Sequence, residues 1–379
     1  MTATPRIFYA FRDSPQRRAA LAAPAGEAER YLLFGKDELQ ARGYHVRHGL
    51  ERSRPPVWAR ISGASSKRIL EGAGGYGGDF ATAFGSLGAA NASDVVLSTV
   101  DTVGIPLVLT KRAGLLRPPL VYVAVGLPER LAKLRSRRMR RLYASAFARC
   151  AAVLAYSVRE ADDVRAWLAA HGRDVDVSFV PFGVDVAAFQ PVSAAPDIDV
   201  VSVGADPHRD FALLLDVARA HPGVRFVIVA TRDAARELRP APPNVRVERE
   251  LPFEETRRLL ERARVVALPV RENTYSGATT VLLQSMSLGK PVVVSSTSAV
   301  ASGYGLVDGR NCRLVRPGDV GGFSLALGSL LGDPFGADSL GGRARELVER
   351  ELTWERYVTR IERALVEAAA SARAGSPRE

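Results

Sequence analysis

The chain contains 379 residues, a length that typically holds two domains and excludes a single small module. Hydrophobic residues make up 47% and charged residues 25%, which indicates a soluble globular protein and excludes a disordered or collagen-like chain. The net charge is +11, and all of it comes from residues 1–180, which carry 27 Lys and Arg against 16 Asp and Glu.

Two cysteines, Cys150 and Cys312, lie far apart and outside any Cys/His pattern of metal-ligand spacing, so neither zinc nor a disulfide framework is expected. The start of the chain does not resemble a secretory signal. The longest apolar stretch, 95–110, is interrupted by Asp101 and Pro106 and is shorter than the ~20 residues that span a bilayer. We therefore expect a cytoplasmic protein.

The first half contains apolar runs of strand length separated by segments with helical periodicity. Strands are predicted at 7–10, 95–98, 120–125, 152–155 and 177–180, and helices at 28–42, 130–149 and 159–171. The densest positive charge of the chain lies within the predicted helix at 130–149. We call 133–141 the basic segment; its cations are Lys133, Arg135, Arg137, Arg138, Arg140 and Arg141.

The basic segment is compatible with a solvated helix face, with weak peripheral contact to an acidic membrane surface, or with a phosphorylated acceptor. Nucleic acid is not an expected partner, because aromatic residues do not alternate with the cations and no helix-turn-helix, zinc-finger or RNP-type pattern is present.

A glycine-rich stretch precedes the predicted strand at 95–98. Gly72, Gly74 and Gly77 match G-x-G-x-x-G, and Asp94 lies near the distance at which an acidic residue would hold a ribose. A dinucleotide site needs a strand that runs directly into this turn, and the polar residues 65–71 do not predict one. An NAD-type oxidoreductase is therefore a weak alternative, and a glycine-rich loop before a helix at 79–87 is favoured.

The second half alternates strands and helices more regularly, in the βαβ rhythm of a doubly wound parallel sheet. Strands are predicted at 198–204, 224–230, 245–247, 265–270 and 291–295, and helices at 211–220, 233–238, 254–263 and 278–288. A Pro- and Ser-containing stretch at 183–196 is typical of a linker. A last amphipathic helix follows Thr353, a suitable N-cap. The predicted organisation is a domain at 1–182, the linker, a domain at 197–352 and a closing helix at 353–371.

The segment after the strand at 265–270 is the strongest candidate site. The amides of Gly277, Ala278, Thr279 and Thr280 open a helix and would point their unpaired N–H groups at an anion. Ser276, Thr280 and Gln284 follow at intervals of four residues and line one side of that helix. The alternative is an ordinary core helix with Ser276 as its N-cap.

These residues resemble the GT-B glycosyltransferases, and within them the retaining, family-4-like group. The resemblance extends from about 152 to 370 and depends on the order and spacing of several short motifs. They are Val180-Pro181-Phe182-Gly183-Val184-Asp185, Val203-Gly204, Leu283-Gln284-Ser285-Met286, Gly289-Lys290-Pro291, Val307-Asp308-Gly309-Arg310-Asn311 and the tryptophan-led closing helix. The family implies two Rossmann-like domains that face a cleft, with the closing helix packed back on the N-terminal domain.

In this family the C-terminal domain holds a nucleotide-diphosphate sugar, and no metal ion or other cofactor is implied. Gly204 matches the family's glycine, but Ala205 stands where an arginine is usual, and Arg209 falls near the family's lysine. Lys290 is a further candidate for the phosphates. The resemblance thus implies donor contacts from Gly204, Arg209, Ser276, Gly277, Thr279, Thr280, Gln284 and Lys290.

The family usually places two glutamates eight residues apart, where this chain has Ser276 and Gln284. Glu272, four residues earlier, is predicted to compensate as a catalytic carboxylate. In the N-terminal domain, Asp101 with Thr102 is the candidate for the acceptor pocket, and a capped loop is the alternative. The acceptor is expected to be a small molecule or lipid-linked.

The resemblance therefore implies a sugar-nucleotide-dependent hexosyltransferase that retains anomeric configuration, with a leaving diphosphate that can itself accept the acceptor's proton. The alternative is a GT-B-shaped binding protein that has lost catalysis together with the usual glutamate and arginine.

Overall fold

The structure of the protein is a computed structural model, described for residues 4–24, 28–275 and 277–374, with only the backbone considered at 28–30. The chain divides into two compact units. Unit 1 comprises Met1–Val180 and Tyr357–Glu379, and unit 2 comprises Pro181–Arg356. Each unit contains one six-stranded sheet in which every pairing is parallel.

Unit 1 alternates strands with helices along the chain. Its strands are β1 (Ile7–Ala10), β2 (Val46–His48), β3 (Val95–Ser98), β4 (Leu120–Ala124), β5 (Ala152–Ala155) and β6 (Val177–Phe179). Its helices are α1 (Pro15–Ala22), a 3-10 helix (Ala28–Leu33), α2 (Lys36–Ala41), α3 (Val57–Gly72), α4 (Phe80–Asn91), α5 (Asp101–Arg112), α6 (Leu127–Ala132), α7 (Arg137–Phe147) and α8 (Val158–Ala169).

The sheet of unit 1 has the order β2-β1-β3-β4-β5-β6. Residues of β1, β3 and β4 are buried without alternation, as expected for parallel strands covered by helices on both faces. One face packs on α5, α7 and α8 through Tyr122, Phe147 and Val164, among others. The unit thus has its own doubly wound α/β core.

Helix α5 contains Pro106 in its interior. Proline has no backbone N–H, so the carbonyl of Thr102 loses its usual helical partner. That carbonyl instead accepts a hydrogen bond from the amide of Asp79 at 2.7 Å, where the glycine-rich loop ends and α4 begins. Gly78, with a φ of +58°, lies so close that a Cβ there would be 2.7 Å from Cγ of Pro106. The proline therefore ties α5 to one end of that loop.

Unit 2 follows the same alternation. Its strands are β7 (Ile198–Gly204), β8 (Phe226–Ala230), β9 (Val245–Arg249), β10 (Ala263–Leu268), β11 (Val292–Ser295) and β12 (Arg313–Val315). Its helices are α9 (Phe211–Ala220), α10 (Arg232–Glu237), α11 (Phe253–Arg262), α12 (Thr279–Ser287), α13 (Val320–Gly332) and α14 (Pro334–Glu351).

The strand order of unit 2 is β12-β11-β10-β7-β8-β9. The chain therefore reverses direction across the sheet between β7 and β10, which is the Rossmann arrangement. In sheets of this type, ligands bind outside the carboxyl ends of the strands at that reversal. The loops after Gly204 and Leu268 are thus the place to look for a ligand site.

The last helix, α15 (Trp354–Ala374), begins in unit 2, and from Tyr357 onward it belongs to unit 1. Its start is capped as predicted, since the hydroxyl of Thr353 accepts from the Arg356 amide at 3.3 Å. Within unit 1, the hydroxyls of Tyr156 and Tyr357 lie 2.9 Å apart, and Arg42 pairs with Glu362. Among the described residues, no helix is long and apolar enough to cross a membrane.

Several local predictions for unit 1 were wrong. The predicted helix at 28–42 is a 3-10 helix followed by the short α2, and that at 130–149 is divided between α6 and α7 because Ser136 caps a new helix. Four elements, α1, β2, α3 and α5, were not predicted. Four strands, β1, β3, β5 and β7, have the predicted bounds, and six others differ from the predicted bounds by one or two residues.

Candidate functional site

Two loops of unit 2 join at the carboxyl ends of β7 and β10. The Asp210 amide donates to the Pro269 carbonyl at 3.0 Å, and the Arg271 amide donates to the His208 carbonyl at 2.8 Å. Residues 205–210 and 269–271 thus form a short antiparallel ladder, with a bridge between Arg209 and Val270. We call this region the switch-point site; it comprises 204–210 and 269–280, apart from 276, which is outside the described residues.

Arg209 is the central cation of the switch-point site. Its side chain is 4% exposed and donates one hydrogen bond, from Nη2 to the carbonyl of Val203. The guanidinium also lies over the ring of Phe211, 5.6 Å from its centroid. Nε and Nη1 are buried and have no hydrogen-bond partner among the residues that the structure describes. Because unpaired buried donors cost free energy, these two atoms indicate that Arg209 awaits an acceptor from outside the chain.

The environment of Arg209 is tight and poorly hydrated. Burial lowers the pKa of its guanidinium to about 10, although the charge of Asp206 acts in the opposite direction. Gly204 passes directly beneath the side chain, and a Cβ at this position would lie 2.2 Å from Nε of Arg209. Glycine at 204 is therefore required by the close approach of Arg209, whatever ligand the site binds.

Asp206 organises the loop around Arg209. Its Oδ1 accepts from the His208 amide at 2.8 Å, and its Oδ2 accepts from the Tyr275 hydroxyl at 2.8 Å. Nδ1 of His208 lies 3.0 Å from the same hydroxyl. The carboxylate also packs on Gly277, where a Cβ would lie 2.7 Å from Cγ of Asp206. Asp206 thus connects the loop after β7 to the residues that lead into α12.

Helix α12 starts at this edge without a side-chain cap. The cap residue is Ala278, which offers no hydrogen bond to the first-turn amides. Helices usually begin with Ser, Thr, Asp or Asn at this position, because the first N–H groups otherwise have no partner. The first N–H groups of such a helix are suited to an anion.

Three further polar atoms around the switch-point site are buried and unpaired: Oδ1 of Asn273, Oγ1 of Thr279 and Oγ1 of Thr297. Thr279 is in the first turn of α12, and Thr297 follows β11, the strand next to β10. Hydroxyls can donate to phosphate or sugar oxygens, and an amide oxygen can accept from a sugar hydroxyl. The arrangement can therefore hold a polar, anionic ligand.

Glu272 lies in the loop between β10 and α12 and is exposed. Its Oε1 accepts from the Ser298 amide at 3.0 Å and from the Ser298 hydroxyl. The carboxylate is thus held at the carboxyl edge of the sheet with its Oε2 free of hydrogen bonds to the described residues. This placement is compatible with the predicted role but does not test it.

The other predicted donor contacts differ in position. Gln284, in the second turn of α12, is 7% exposed, and its amide forms no hydrogen bond with the described residues. Thr280 is half-buried in the first turn, whereas Ser276 lies outside the described residues. Lys290 precedes β11, and its Nζ donates to the carbonyl of Glu261 before β10. Lys290 is therefore at the amino edge of the sheet, and the structure separates it from the other candidates.

In unit 1, Asp101 is a buried carboxylate at the start of α5, just beyond β3. Its Oδ1 accepts from the Tyr122 hydroxyl at 2.5 Å and from the Val125 amide at 3.3 Å, and its Oδ2 accepts from Nε of Arg130 at 2.8 Å. Burial raises the pKa of this carboxyl, against the opposing effects of Tyr122 and Arg130. Asp101 thus holds Tyr122, the Val125 amide and Arg130 together, and this placement does not test its predicted role.

Glu160 is a buried titratable residue that the sequence analysis missed. Its Oε1 accepts from the amides of Gly126 and Leu127 at 2.7 and 3.0 Å, while Oε2 is buried without a partner. Burial raises its pKa to about 8, and Asp101 adds to the shift. Ser157 and Glu160 match the S-x-x-E capping-box pattern, but the glutamate reaches another helix start instead.

The glycine-rich stretch does not form a dinucleotide site. It follows helix α3 rather than a strand, so the amides that would hold a pyrophosphate are not presented beyond a strand end. Asp94 lies at the amino end of β3, where both carboxylate oxygens bind Arg6. The arrangement thus argues against the oxidoreductase alternative. Among the described residues, no cluster of His, Cys, Asp or Glu could hold a metal ion.

Comparison with known proteins defines the class. The family model "Glycosyl transferases group 1" matches residues 193–333, which include the whole switch-point site. Solved GT-B glycosyltransferases share the fold over nearly the full chain, which therefore has the GT-B fold. The segment 193–333 is thus similar to the glycosyl transferases group 1 family, the resemblance that the sequence motifs predicted.

Two solved structures illustrate the similarity. Sucrose-phosphate synthase from Thermosynechococcus elongatus superposes with a TM-score of 0.73 at 15% identity, covering 97% of this chain and 100% of that one. HepE from Anabaena, in complex with UDP-glucose, superposes with a TM-score of 0.66 at 14% identity and the same coverage. Among curated proteins, none matches the sequence.

Proposed function

We propose that the protein is an active glycosyltransferase that binds a nucleotide-diphosphate sugar at the switch-point site of unit 2. The observation that carries the proposal is the buried Arg209, whose Nε and Nη1 have no hydrogen-bond partner among the described residues. Asp206, in the same loop, lies against Gly277, which precedes α12. A diphosphate supplies the oxygen acceptors that Nε and Nη1 lack, and its charge matches that of the guanidinium.

The proposed chemistry depends mainly on charge neutralisation. When the bond between the sugar and the diphosphate breaks, negative charge grows on the leaving phosphate, where Arg209 and the first amides of α12 would stabilise it. Because these donors are already fixed by Gly204 and Asp206, little reorganisation is needed during the reaction. Transfer with retention suits such a site, since the leaving diphosphate can take the acceptor's proton on the same face of the sugar.

We assign Glu272 the role of the carboxylate that faces the donor sugar. It is the one acidic residue of the described loop between β10 and α12, and its Oε2 is available to a hydroxyl of the sugar or to positive charge developing on it. Gln284 would contribute uncharged hydrogen bonds to the nucleotide ribose. A hexose is the proposed sugar, and HepE, crystallised with UDP-glucose, makes UDP the first nucleotide to test.

The test measures thermal stabilisation by UDP, GDP, ADP, dTDP and NAD(P), then hydrolysis of the corresponding sugar nucleotide. We expect one nucleoside diphosphate to stabilise the protein and slow hydrolysis of its sugar to be lost in Glu272→Ala. Glu237→Ala is the matched control, because Glu237 is exposed on α10, and we expect it to retain the parent rate. Stabilisation by NAD(P) alone would refute the proposal.

The second candidate is a binding protein without catalysis, favoured by Gln284 and Ser276 at the positions of the family's usual glutamates. It predicts that the nucleotide sugar binds but is neither hydrolysed nor transferred to any acceptor. Screening of small and lipid-linked acceptors with the stabilising sugar nucleotide separates the two, because only an enzyme releases free UDP.

We further propose that unit 1 holds the acceptor and that the basic segment gives the protein reversible contact with the inner face of a membrane. Its six cations form no ion pair with any carboxylate of the described residues, so their charge is available to acidic lipids. Co-sedimentation with vesicles containing phosphatidylglycerol should weaken steeply with salt. Equal binding to neutral vesicles would contradict this contact.

A further inference from the structure

Unit 1 contains a pocket of about 310 Å³ that neither the donor site nor the fold explains. It is formed where the glycine-rich loop after α3 meets the connection between α6 and α7. Residues that line it include Glu71, Gly75, Tyr76, Arg130, Lys133 and Arg135. The glycine motif, which has no assigned role, and the start of the basic segment thus meet in one place.

Hydrogen bonds fix the glycine-rich loop to the basic segment and to Tyr143 of α7. The Arg135 amide donates to the Gly74 carbonyl at 3.1 Å. The Tyr143 hydroxyl accepts from the Tyr76 amide at 2.8 Å and donates to the Tyr76 carbonyl at 2.9 Å. Gly74 has a φ of +80°, and a Cβ there would lie 2.8 Å from Cβ of Arg135. The glycines therefore allow the loop to lie directly against the cations.

Arg130 forms one wall of the pocket. Its Nε donates to Asp101 at 2.8 Å, and its guanidinium lies over the ring of Tyr76, 4.7 Å from the centroid. The side chain of Arg130 is 34% exposed while that of Asp101 is 1% exposed. The buried Asp101 carboxylate thus holds the guanidinium through Nε, and the rest of the Arg130 guanidinium faces the pocket.

Lys133 and Arg135 add two more cations, both exposed. Neither forms an ion pair with a described carboxylate, and Glu71 lies 3.9 Å from Lys67 instead. The pocket is therefore lined by three cations, one of which, Arg130, is neutralised by Asp101. Its one acidic residue, Glu71, has Lys67 as its partner. Such a surplus, in a concave site beside an aromatic ring, favours a compact dianion over a neutral ligand.

We propose that this pocket binds a phosphate group of the acceptor substrate, held by Arg130, Lys133 and Arg135. The inference rests on the proposed function and deepens it by assigning the chemical class of the acceptor. Asp101 begins α5 beyond the carboxyl end of β3, so Arg130 stands at the edge of the sheet where α/β proteins bind ligands. The phosphate is carried either by a soluble molecule or by a lipid, and both present the same oxygens.

The test uses inorganic phosphate as the probe, titrated by calorimetry at constant ionic strength against chloride. Lys133→Gln combined with Arg135→Gln removes two charges but no described ion pair. Each charge-assisted hydrogen bond contributes enough that we expect the phosphate Kd to rise about tenfold or more. Arg60→Gln combined with Arg68→Gln is the control, because both arginines are exposed on α3 outside the pocket, and it should change Kd less than about twofold.

Absence of saturable phosphate binding in the parent, or equal weakening in both double variants, would overturn the proposal. Flotation with vesicles identifies the source of the phosphate. Preference for phosphatidic acid over phosphatidylglycerol that is lost only in the Lys133/Arg135 variant assigns it to a lipid. Saturable phosphate binding without that preference assigns it to a soluble acceptor.

Thermal stabilisation by UDP, measured on the same variants, separates this proposal from the donor site. The pocket lies in unit 1 and Arg209 in unit 2, so a variant that loses phosphate but keeps its UDP response locates the defect in the pocket. Absence of stabilisation of the parent by every nucleoside diphosphate of the panel would instead count against the proposed function.

Discussion

Arg209 offers the sharpest test of the switch-point site, because its substitution should separate stability from ligand binding. Methionine has a similar length and volume but no charge, so Arg209→Met removes the guanidinium without opening a large cavity. In the free protein, the arginine has two buried donors without partners, and each such group costs about 1–3 kcal/mol.

The substitution also removes favourable contacts. The hydrogen bond from Arg209 to the Val203 carbonyl contributes about 1.5–3 kcal/mol, and the contact with the Phe211 ring contributes about 0.5–2 kcal/mol. These gains and losses are similar in size, so the free energy of unfolding of the ligand-free variant should change by less than about 2 kcal/mol. The thermal midpoint should therefore remain close to that of the parent.

The bound state has no such compensation. Two charge-assisted hydrogen bonds to a phosphate contribute about 3–6 kcal/mol together, which corresponds to roughly a hundredfold to ten-thousandfold weaker binding of UDP. Calorimetry with UDP gives the affinity, and urea unfolding gives the stability. Arg219→Met is the control and should keep the parent's UDP affinity, since Arg219 is exposed in the last turn of α9, outside the switch-point site.

Unchanged UDP affinity in Arg209→Met would refute the assignment of Arg209 to the diphosphate. A loss of more than about 3 kcal/mol of stability would show instead that the arginine is a structural residue whose free donors are paired in solution.

The remaining predictions concern the protonation of Glu160 and two glycines, Gly204 and Gly277, at which an added Cβ would lie too close to a neighbouring side chain. The pKa of Glu160 in the folded protein is about 8, above the ordinary carboxyl value of 4.5. The contribution of this group to the free energy of unfolding is therefore greatest below pH 4.5 and is lost as the pH rises towards 8. Glu160→Gln should remove that loss, at about 1.4 kcal/mol per unit of pKa shift, and an unchanged slope of stability between pH 5 and 8 in urea titrations would contradict it. Gly204→Ala should displace Arg209 and abolish UDP stabilisation at a cost of about 1–3 kcal/mol, whereas Gly223→Ala, with open space around it, should leave UDP binding intact. Gly277→Ala should move Asp206 and weaken UDP binding, and retained affinity would show that this contact does not support the site.

The sequence predicted the strands of both units more completely than the helices, for a physical reason. In unit 2, β12, α13 and α14 were not predicted. Strands such as β7 are runs of buried, β-branched residues between polar segments, and that pattern is distinctive. Helix α3 was missed because Trp58 and Ile61 are exposed, which obscures its amphipathic period. Helix α5 was missed because Pro106 and a nearly continuous apolar composition do not resemble a surface helix.

The site shows a similar division. Gly204 and Arg209 follow a strand end directly, so their place at the carboxyl edge could be predicted from their position in the chain. Lys290 precedes a strand, and that position already implies the opposite edge, which the motif-based assignment overlooked. Glu160 could not be predicted, because its partners Gly126 and Leu127 belong to a different turn, and only the folded chain brings them together.

The hydrogen bond from the Asp79 amide to the Thr102 carbonyl, which Pro106 leaves without a helical partner, has a thermodynamic consequence. The glycine-rich loop is held at one end by the Thr102 carbonyl and near its other end by Arg135 and Tyr143. Glycine-rich segments ordinarily lose much conformational entropy when they close on a ligand, but here that entropy has already been lost during folding. Binding in the pocket should therefore proceed without an ordering cost for the backbone of this loop, and the remaining cost falls on the exposed side chains of Lys133 and Arg135.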